Sequence, residues 1–417
     1  VPDGDVQNNI ISTPLRFPHF LLFLQHSFQH LNGKYFSVPY QISMAKIVSV
    51  VPYRFLPPVN GGHWGLIIIE KLLSIFNEVH TVSTINNIDE QKFPFTTHLI
   101  LNDKPKRYLP FAGYKAILKV AREEKAQYIF AHHPYMYFTV NKVAKTLGIP
   151  LYIRSHNIES ERFRSLGKQW WPLLHWFEKK AYRNADKTFF VTEEDKNWAI
   201  QHFGIRQEQG VVMPFGIDFP KSPALEDHVK ATTALQLGLN ENVPWLFFMG
   251  QLDYKPNEEA VQLILKEIVP RLRKSNAVFQ LLIFGKNLHE SIQQEIRQSA
   301  VGNDIVYLGF VPELAPVLSS CDVMLNPVLS GGGVKTKLVE SLAWNKTVVS
   351  TESGALGMEK SVCGDKLLIC ADKDWNAFTA ITLQMMQQNP ARIPDAFFEF
   401  YYAKNIAERM QTYFQQG

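Results

Sequence analysis

Cysteine is scarce: Cys321, Cys363 and Cys370 are the only three in 417 residues. Cys363 and Cys370 lie seven apart with no histidine cluster nearby. That spacing excludes a paired-cysteine zinc site and leaves no disulfide framework. Free, mostly buried thiols in a reducing compartment are the expectation. Long apolar runs are also missing. The longest knot before Met44, Phe17 to Leu24, contains Pro18 and His19 and falls well short of the roughly 20 residues needed to cross a bilayer. No basic start, apolar core and small-residue cleavage site mark a secretory leader. Blocks of Lys and Arg are absent and the net charge is only +4, which argues against a nucleic-acid partner while suiting phosphorylated ligands or an anionic membrane surface. No Gly-x-Gly-x-x-Gly follows the first strand of either half, so dinucleotide redox chemistry is not expected. Low-complexity tracts and short repeats are lacking as well.

What is present is a near-average globular composition, 46% hydrophobic and 20% charged, in a chain long enough for two or three domains. Residues 1–43 precede the first methionine and read as upstream translation or a loose tail, with the folded part starting at Met44. From there, short β-branched runs alternate with helical patterns. Strands are expected at 46–51, 79–83, 127–131, 151–154, 188–192 and 210–213, with helices at 63–76, 113–124, 139–147, 173–184 and 193–203 between them. A polar stretch, 214–243, reads as an interdomain segment. The alternation then resumes with strands at 245–249, 280–284, 304–308, 323–326 and 347–350. Helices are expected at 257–272 with Asn257 as N-cap, and at 288–299, 313–319 and 335–343. A last amphipathic helix places Tyr402, Ile406, Met410 and Tyr413 on one face. This is an α/β chain with two doubly wound parallel sheets, and its ligand site is expected at the carboxyl ends of the strands, between the halves.

The most informative segment runs Asn326-Pro-Val-Leu-Ser-Gly-Gly-Gly-Val-Lys-Thr-Lys-Leu-Val-Glu340. A strand ends, three glycines (Gly331, Gly332, Gly333) follow, and a helix starts near Lys335. Glycines admit close backbone approach, the helix N-terminus presents free N–H groups, and Lys335, Thr336 and Lys337 add two cations and a hydroxyl. That chemistry suits a diphosphate. Glu340, a turn or so further in, suits a ribose diol. A plain glycine-rich turn with solvated lysines has the same composition, and the motif alone leaves both open.

The segment resembles the donor-binding signature of the retaining family 4 glycosyltransferases, which have the two-Rossmann GT-B architecture. Other pieces fall in the family's order: Pro58-Val-Asn-Gly-Gly62, His156-Asn-Ile-Glu159, Met213-Pro-Phe-Gly-Ile-Asp218, Met249-Gly-Gln-Leu-Asp-Tyr-Lys-Pro-Asn257, Phe284-Gly-Lys-Asn287, Gly309-Phe-Val-Pro312 and Ser350-Thr-Glu-Ser-Gly354. The resemblance runs from about Met44 to the end. It implies an acceptor-side domain over 44–215, a donor domain over 216–395, and a C-terminal helix, 396–417, packing back on the first. It further implies transfer from a nucleotide sugar to a saccharide or lipid-linked acceptor with retention, in surface polysaccharide or glycolipid synthesis. The protein would need no metal and no cofactor and would work in the cytoplasm, at the inner face of the membrane.

By the same resemblance, His156 and Lys335 are the expected catalytic pair. Donor binding falls to Gly331, Gly332, Gly333, Lys335, Thr336, Lys337, Glu340, Gly250, Gln251, Lys255, Gly285, Lys286 and Val311. The acceptor side is given by Gly61, Gly62, Asn157 and Glu159. His132 and His133 read as surface or packing residues. The stretch from Lys168 to Arg183, with Trp170, Trp171 and Trp176, suits either a packed helix or an anionic leaflet. There are two departures. Many members carry a Glu-x7-Glu pair, and here the first position is Gly332. Gln251 and Pro256 replace an Arg and a Lys that bind the diphosphate, leaving Lys255, Lys335 and Lys337 to supply charge. A nucleotide-sugar-binding protein without transferase activity, or a sugar-nucleotide epimerase, are the competing readings.

Overall fold

The structure is a computed structural model, and it describes residues 44–58, 61–88, 92–224, 228–301, 304–331, 334–388 and 391–415. The reading of residues 1–43 lies outside the described residues. The first half runs β1 (Ala45–Val50), α1 (Gly61–Leu73), β2 (Asn77–Thr84), β3 (Thr96–Leu101), α2 (Tyr114–Glu123), β4 (Tyr128–His132), α3 (Tyr137–Leu147) and β5 (Leu151–Arg154). It continues with α4 (Glu159–Ser165), α5 (Trp171–Asn184), β6 (Lys187–Phe190), α6 (Glu193–Phe203) and β7 (Gly210–Val212). The strands pair in parallel in the order β3-β2-β1-β4-β5-β6-β7. Val and Ile fill both faces of β1 because helices cover both, and the run therefore lacks polar alternation.

Across the segment after β7, the structure corrects the expectation of an unpatterned linker: α7 (Val229–Leu237) forms there. Its apolar face is thin, with Thr233 and Ala234 the buried pair, so periodicity gave little warning. The second half continues β8 (Trp245–Gln251), α8 (Lys255–Leu263), α9 (Val269–Lys274), β9 (Gln280–Lys286), α10 (Glu290–Ser299), β10 (Ile305–Gly309) and α11 (Leu314–Ser320). Then follow β11 (Val323–Asn326), α12 (Thr336–Ala343), β12 (Thr347–Thr351), β13 (Leu367–Cys370) and α13 (Trp375–Gln387). The sheet order is β10-β9-β8-β11-β12-β13, again parallel. The single helix expected over 257–272 is split. A wide π-turn, Ile264–Ile268, separates α8 from α9, and Pro270 sits at the start of α9. Proline cannot donate to the carbonyl one turn back, and a widened turn absorbs that loss. Asn257 is not the N-cap; Tyr254 holds that position.

The strand order reverses between β1 and β4 in one sheet and between β8 and β11 in the other. Such switch points open a crevice at the carboxyl ends. The chain leaves the first half through Gly216 and Ile217 and returns through α14 (Asp395–Tyr401) and α15 (Ala403–Gln411). The two crossings bond each other, with Ile217 N donating to Tyr401 O and Ala403 N donating to Ile217 O, both at 2.9 Å. Ile406, Met410 and Phe414 then bury themselves in the first half beside Tyr128, Phe130, Tyr152 and Phe189. The three cysteines are free and buried.

Candidate functional site

The donor-side loop leaves β11 at Asn326 and enters α12 at Thr336. Gly331 has φ +93°, a left-handed conformation that favours glycine, and a Cβ there would lie 3.2 Å from Tyr254 Oη and 3.3 Å from Pro256 Cγ. The loop thus rests on the turn that follows β8. Gly332 and Gly333 lie outside the described residues. Lys335 precedes the helix and donates from Nζ to Gly331 O at 2.8 Å. Thr336 opens the helix and is exposed. Lys337 turns inward. Its Nζ donates to Asn257 Oδ1 at 2.9 Å and stands 3.9 Å from the centre of the Phe248 ring.

Burial, and then the charge of Lys335, hold the Lys337 ammonium well below the usual lysine range. Burial lowers Lys335 to about 8, with Asp195 pulling the other way. Burial also pushes the Glu340 carboxyl up to about 7. Glu340 nevertheless keeps solvent access. A side chain walled by protein yet reachable by water belongs to the floor of a cleft. It makes no side-chain hydrogen bond among the described residues. Two cations and a carboxylate, all disfavoured in their charged forms, therefore share one helix start.

Gly250 and Gly285 are register partners at the ends of β8 and β9. A Cβ on Gly285 would fall inside the carbonyl of Gly250, so no larger residue fits. Beside them Lys286 caps the exposed ring of Phe310 at 4.1 Å, next to half-buried Val311. Gln251 is exposed and its carbonyl receives the Asn257 amide at 2.9 Å. Lys255 departs from the expectation. Its side chain is 82% exposed and faces Glu259 at 3.7 Å, because the first turn of α8 aims it at solvent. Lys335 and Lys337 alone of the three lysines are drawn inward.

In the first half, β5 ends at Arg154 and the chain turns through Ser155 to His156. His156 is not isolated. Its Nε2 lies 3.1 Å from His132 Nδ1, and His132 Nε2 lies 2.7 Å from Glu70 Oε1. Glu70 is fully buried and also receives the hydroxyls of Ser49 at 2.5 Å and Thr81 at 2.7 Å. A carboxylate accepting two hydroxyl protons takes its third from His132 Nε2. An imidazole that donates from Nε2 can accept at Nδ1, here from His156 Nε2, and in that tautomer His156 Nδ1 carries no proton. Burial and the neighbouring histidines hold His156 well below the usual imidazole range, hence neutral. His133 stacks on His156 with ring centres 4.3 Å apart and meets Tyr53 Oη at 2.9 Å. Burial lowers it to about 4. His132 and His133 are therefore core partners of the site rather than surface residues. A helical stripe hides Glu70, since one acidic residue at the end of an apolar run reads as its polar edge.

Glu159 is turned into the protein. Its side chain is 1% exposed and receives Tyr135 Oη at 2.8 Å, Arg162 Nη2 at 2.6 Å and Asn157 Nδ2 at 3.4 Å. It anchors the loop instead of meeting an acceptor. Glu178 caps the same α4 from α5, accepting the Glu159 and Ser160 amides at 2.9 and 3.0 Å. Asn157 is half-buried on that loop. Gly61 and Gly62 start α1, with Gly62 exposed. The two halves meet here. Gly357 packs against both Thr192 and Val334, and the Asp195 charge acts on Arg154 on one side and Lys335 on the other.

A cleft with a cationic helix start on one wall and a neutral histidine on the other suits a ligand with a diphosphate and a sugar. Residues 243–388 match the model of glycosyl transferases group 1, and residues 78–220 match that of glycosyltransferase family 4; together they span more than half of the chain. The chain belongs to the group 1 glycosyltransferases. A Klebsiella pneumoniae relative, an uncharacterized 44.6 kDa protein in the cps region, is 22% identical over 365 residues, covering 79% of this chain and 88% of its own. Among solved structures, a glycosyltransferase from Rickettsia africae superposes with a TM-score of 0.69 at 13% identity, covering 90% of this chain and 98% of that one. Anabaena HepE, solved with UDP-glucose, gives 0.65 at 15% identity, covering 88% and 98%. WaaG, a glycosyltransferase involved in lipopolysaccharide biosynthesis, gives 0.63 at 13% identity, covering 89% and 100%. These likenesses establish the GT-B fold of this glycosyltransferase.

The buried Glu70 predicts a large stability effect. Glu70→Ala strands the Ser49 and Thr81 hydroxyls and the His132 ring without an acceptor, and should cost about 3–5 kcal/mol in urea denaturation. A loss under about 1 kcal/mol would mean that the chain Glu70–His132–His156 is not formed as described.

Proposed function

We propose that this glycosyltransferase moves a hexosyl group from a nucleotide diphosphate sugar to a saccharide or lipid-linked acceptor, with retention and without a metal, in surface-polysaccharide synthesis. The observation that carries the reading is the pair of inward-drawn lysines, Lys335 and Lys337, at the start of α12, with Glu340 further along the same helix. Transfer breaks the bond between the anomeric carbon and the diphosphate, and negative charge grows on the departing oxygen. Lys335, Lys337 and the amides opening α12 are aimed at that charge. Glu340 as a carboxylate would accept the ribose hydroxyls, and Phe310 capped by Lys286 offers a face for the base. His156, with Nδ1 unprotonated, would accept a hydrogen bond from a hydroxyl of the transferred sugar. HepE with UDP-glucose favours a UDP-hexose as the first donor to try. The cps-region relative and WaaG favour surface polysaccharide as the product class. A nucleotide-sugar donor implies work on the cytoplasmic side.

The acceptor side carries a patch that fits the inner face of a membrane. Leu173 is 69% exposed, Leu166 56% and Trp176 53%. Lys180 sits over both Phe138 and Trp176, and Lys142 over Phe111. Exposed apolar rings among lysines suit an anionic leaflet. No helix among the described residues is long and apolar enough to cross a membrane.

A panel of UDP-, GDP- and other nucleotide sugars, read by thermal shift and slow donor hydrolysis, tests the donor assignment. One donor should stabilise the protein and be hydrolysed, Glu340→Ala should abolish both, and Lys337→Met should lower turnover by about 10²–10³-fold. Stabilisation without turnover, whatever acceptor is supplied, would leave a binding protein in place of the transferase. For the membrane patch, the protein should sediment with vesicles containing anionic lipid, and the double variant Leu173→Glu, Trp176→Glu should stay in solution. Sedimentation unaffected by that variant would refute the patch.

A further inference from the structure

A second cluster of ligating side chains lies at the β3 edge of the first sheet. Register places Val82 opposite His98, and His80 two residues earlier on the same face of β2. Val82 packs with Ile117 and Val120 of α2, so both histidines stand on the face that α2 covers. Helix α2 runs back from the carboxyl ends of the strands, and Glu124, just past its end, arrives beside them. His80 Nδ1 is 3.2 Å from His98 Nε2. One ligand atom each from His80, His98 and Glu124 fall within 4.8 Å of one another.

We propose that His80, His98 and Glu124 form a structural site for a divalent transition metal of the zinc class. Two nitrogens on a tetrahedral zinc, each at about 2.0–2.1 Å, sit about 3.3 Å apart, which is the spacing these two rings already have. The outer nitrogen of His80 is held as such sites require: Nε2 lies 3.0 Å from Glu78 Oε1, and a carboxylate receiving that N–H fixes the ring with Nδ1 free to ligate. Lys46 in turn fixes Glu78 at 3.0 Å. Glu124 is 30% exposed and its Oε2 stands 3.6 Å from His80 Nε2, the outer nitrogen, so it has to swing around the ring from there to reach an ion on Nδ1. Solvent supplies the fourth ligand. The donor set of two imidazoles and one carboxylate selects zinc, cobalt or nickel over magnesium or calcium. Bound there, the ion ties edge strand β3 to β2 and to the end of α2. Thr81 and His132, which both bond Glu70, stand on the opposite face of the sheet from His80 and His98, so this metal takes no part in sugar transfer, and the proposal does not depend on the function assigned to the cleft.

The test uses the full chain after treatment with a chelator, titrated with zinc and with cobalt. Calorimetry should give one ion per chain, cobalt should show the intense visible bands of a tetrahedral site, and zinc should raise Tm. His98→Ala and Glu124→Gln, at an edge strand and a surface position, should each weaken binding at least about tenfold, with unchanged circular dichroism as the check on folding. His156→Ala should bind as the parent does. Absence of uptake would mean that the two rings share a proton and nothing more. Binding that survives His98→Ala, or that falls with His156→Ala, would place the ion elsewhere. Either result overturns the proposal.

Discussion

The cleft depends on a cation that is costly to bury. Lys337 enters the protein at the first turn of α12 with one amide oxygen and one aromatic face for company. Neither carries the opposing charge that a buried ammonium needs. The surrounding structure follows from holding that group in place. Asn257 must offer its oxygen inward, so its amide nitrogen is pinned to the Gln251 carbonyl. That turn must pass close to β9, hence glycine at 250 and 285. Gly331 then lies on Tyr254 and Pro256 and brings its carbonyl to Lys335. Burial disfavours the charged forms of both lysines, and an anion beside them would favour those forms.

The opposing wall follows another logic. There the deepest carboxylate, Glu70, is satisfied internally. Glu70 is matched by three donors, and the chain through His132 fixes which nitrogen of His156 bears a proton. One wall is thus held by internal hydrogen bonds, while the other carries the half-buried Lys335 and Lys337. Asp195 sits between them, with Arg154 on its own side and Lys335 across the cleft. Return of α15 to the aromatic cluster around Phe189 and Phe414 ties the halves at the far side. Bonds from Ile217 to both flanks of Tyr402 make the two crossings one joint.

Much of this was legible. Parallel strands buried on both faces read as unbroken apolar runs, so β1, β5, β8, β11 and β12 were placed within a residue or two. The edge strand β3, Thr-Thr-His-Leu-Ile-Leu, is half-exposed and lacks that signature. Helix α4 was hidden because it buries only Glu159 and Ser160, the reverse of an apolar stripe. On the donor side the glycines and lysines stood in one contiguous segment, and the helix geometry sorted them: residues 335 and 337 turn in, 255 turns out. The histidine wall was illegible beyond His156. Its parts come from α1, β4 and the loop after β5, and only the sheet order brings residues 70, 132 and 156 together. Contacts across a switch point leave no spacing in the sequence.

Burial of the α12 lysines predicts that they take up protons when an anion arrives. Calorimetry of nucleoside diphosphate binding in buffers of different ionisation enthalpy measures that uptake directly, because the buffer dependence counts protons exchanged. The measurement belongs at a pH just above the Lys335 value of about 8, where Glu340, at about 7, has already ionised. Binding of an anion raises the pKa of a nearby ammonium, so the protein should take up protons, and Lys337→Met should reduce that uptake. Tight binding with no net proton exchange, unchanged in Lys337→Met, would mean that both lysines are already charged before the anion binds.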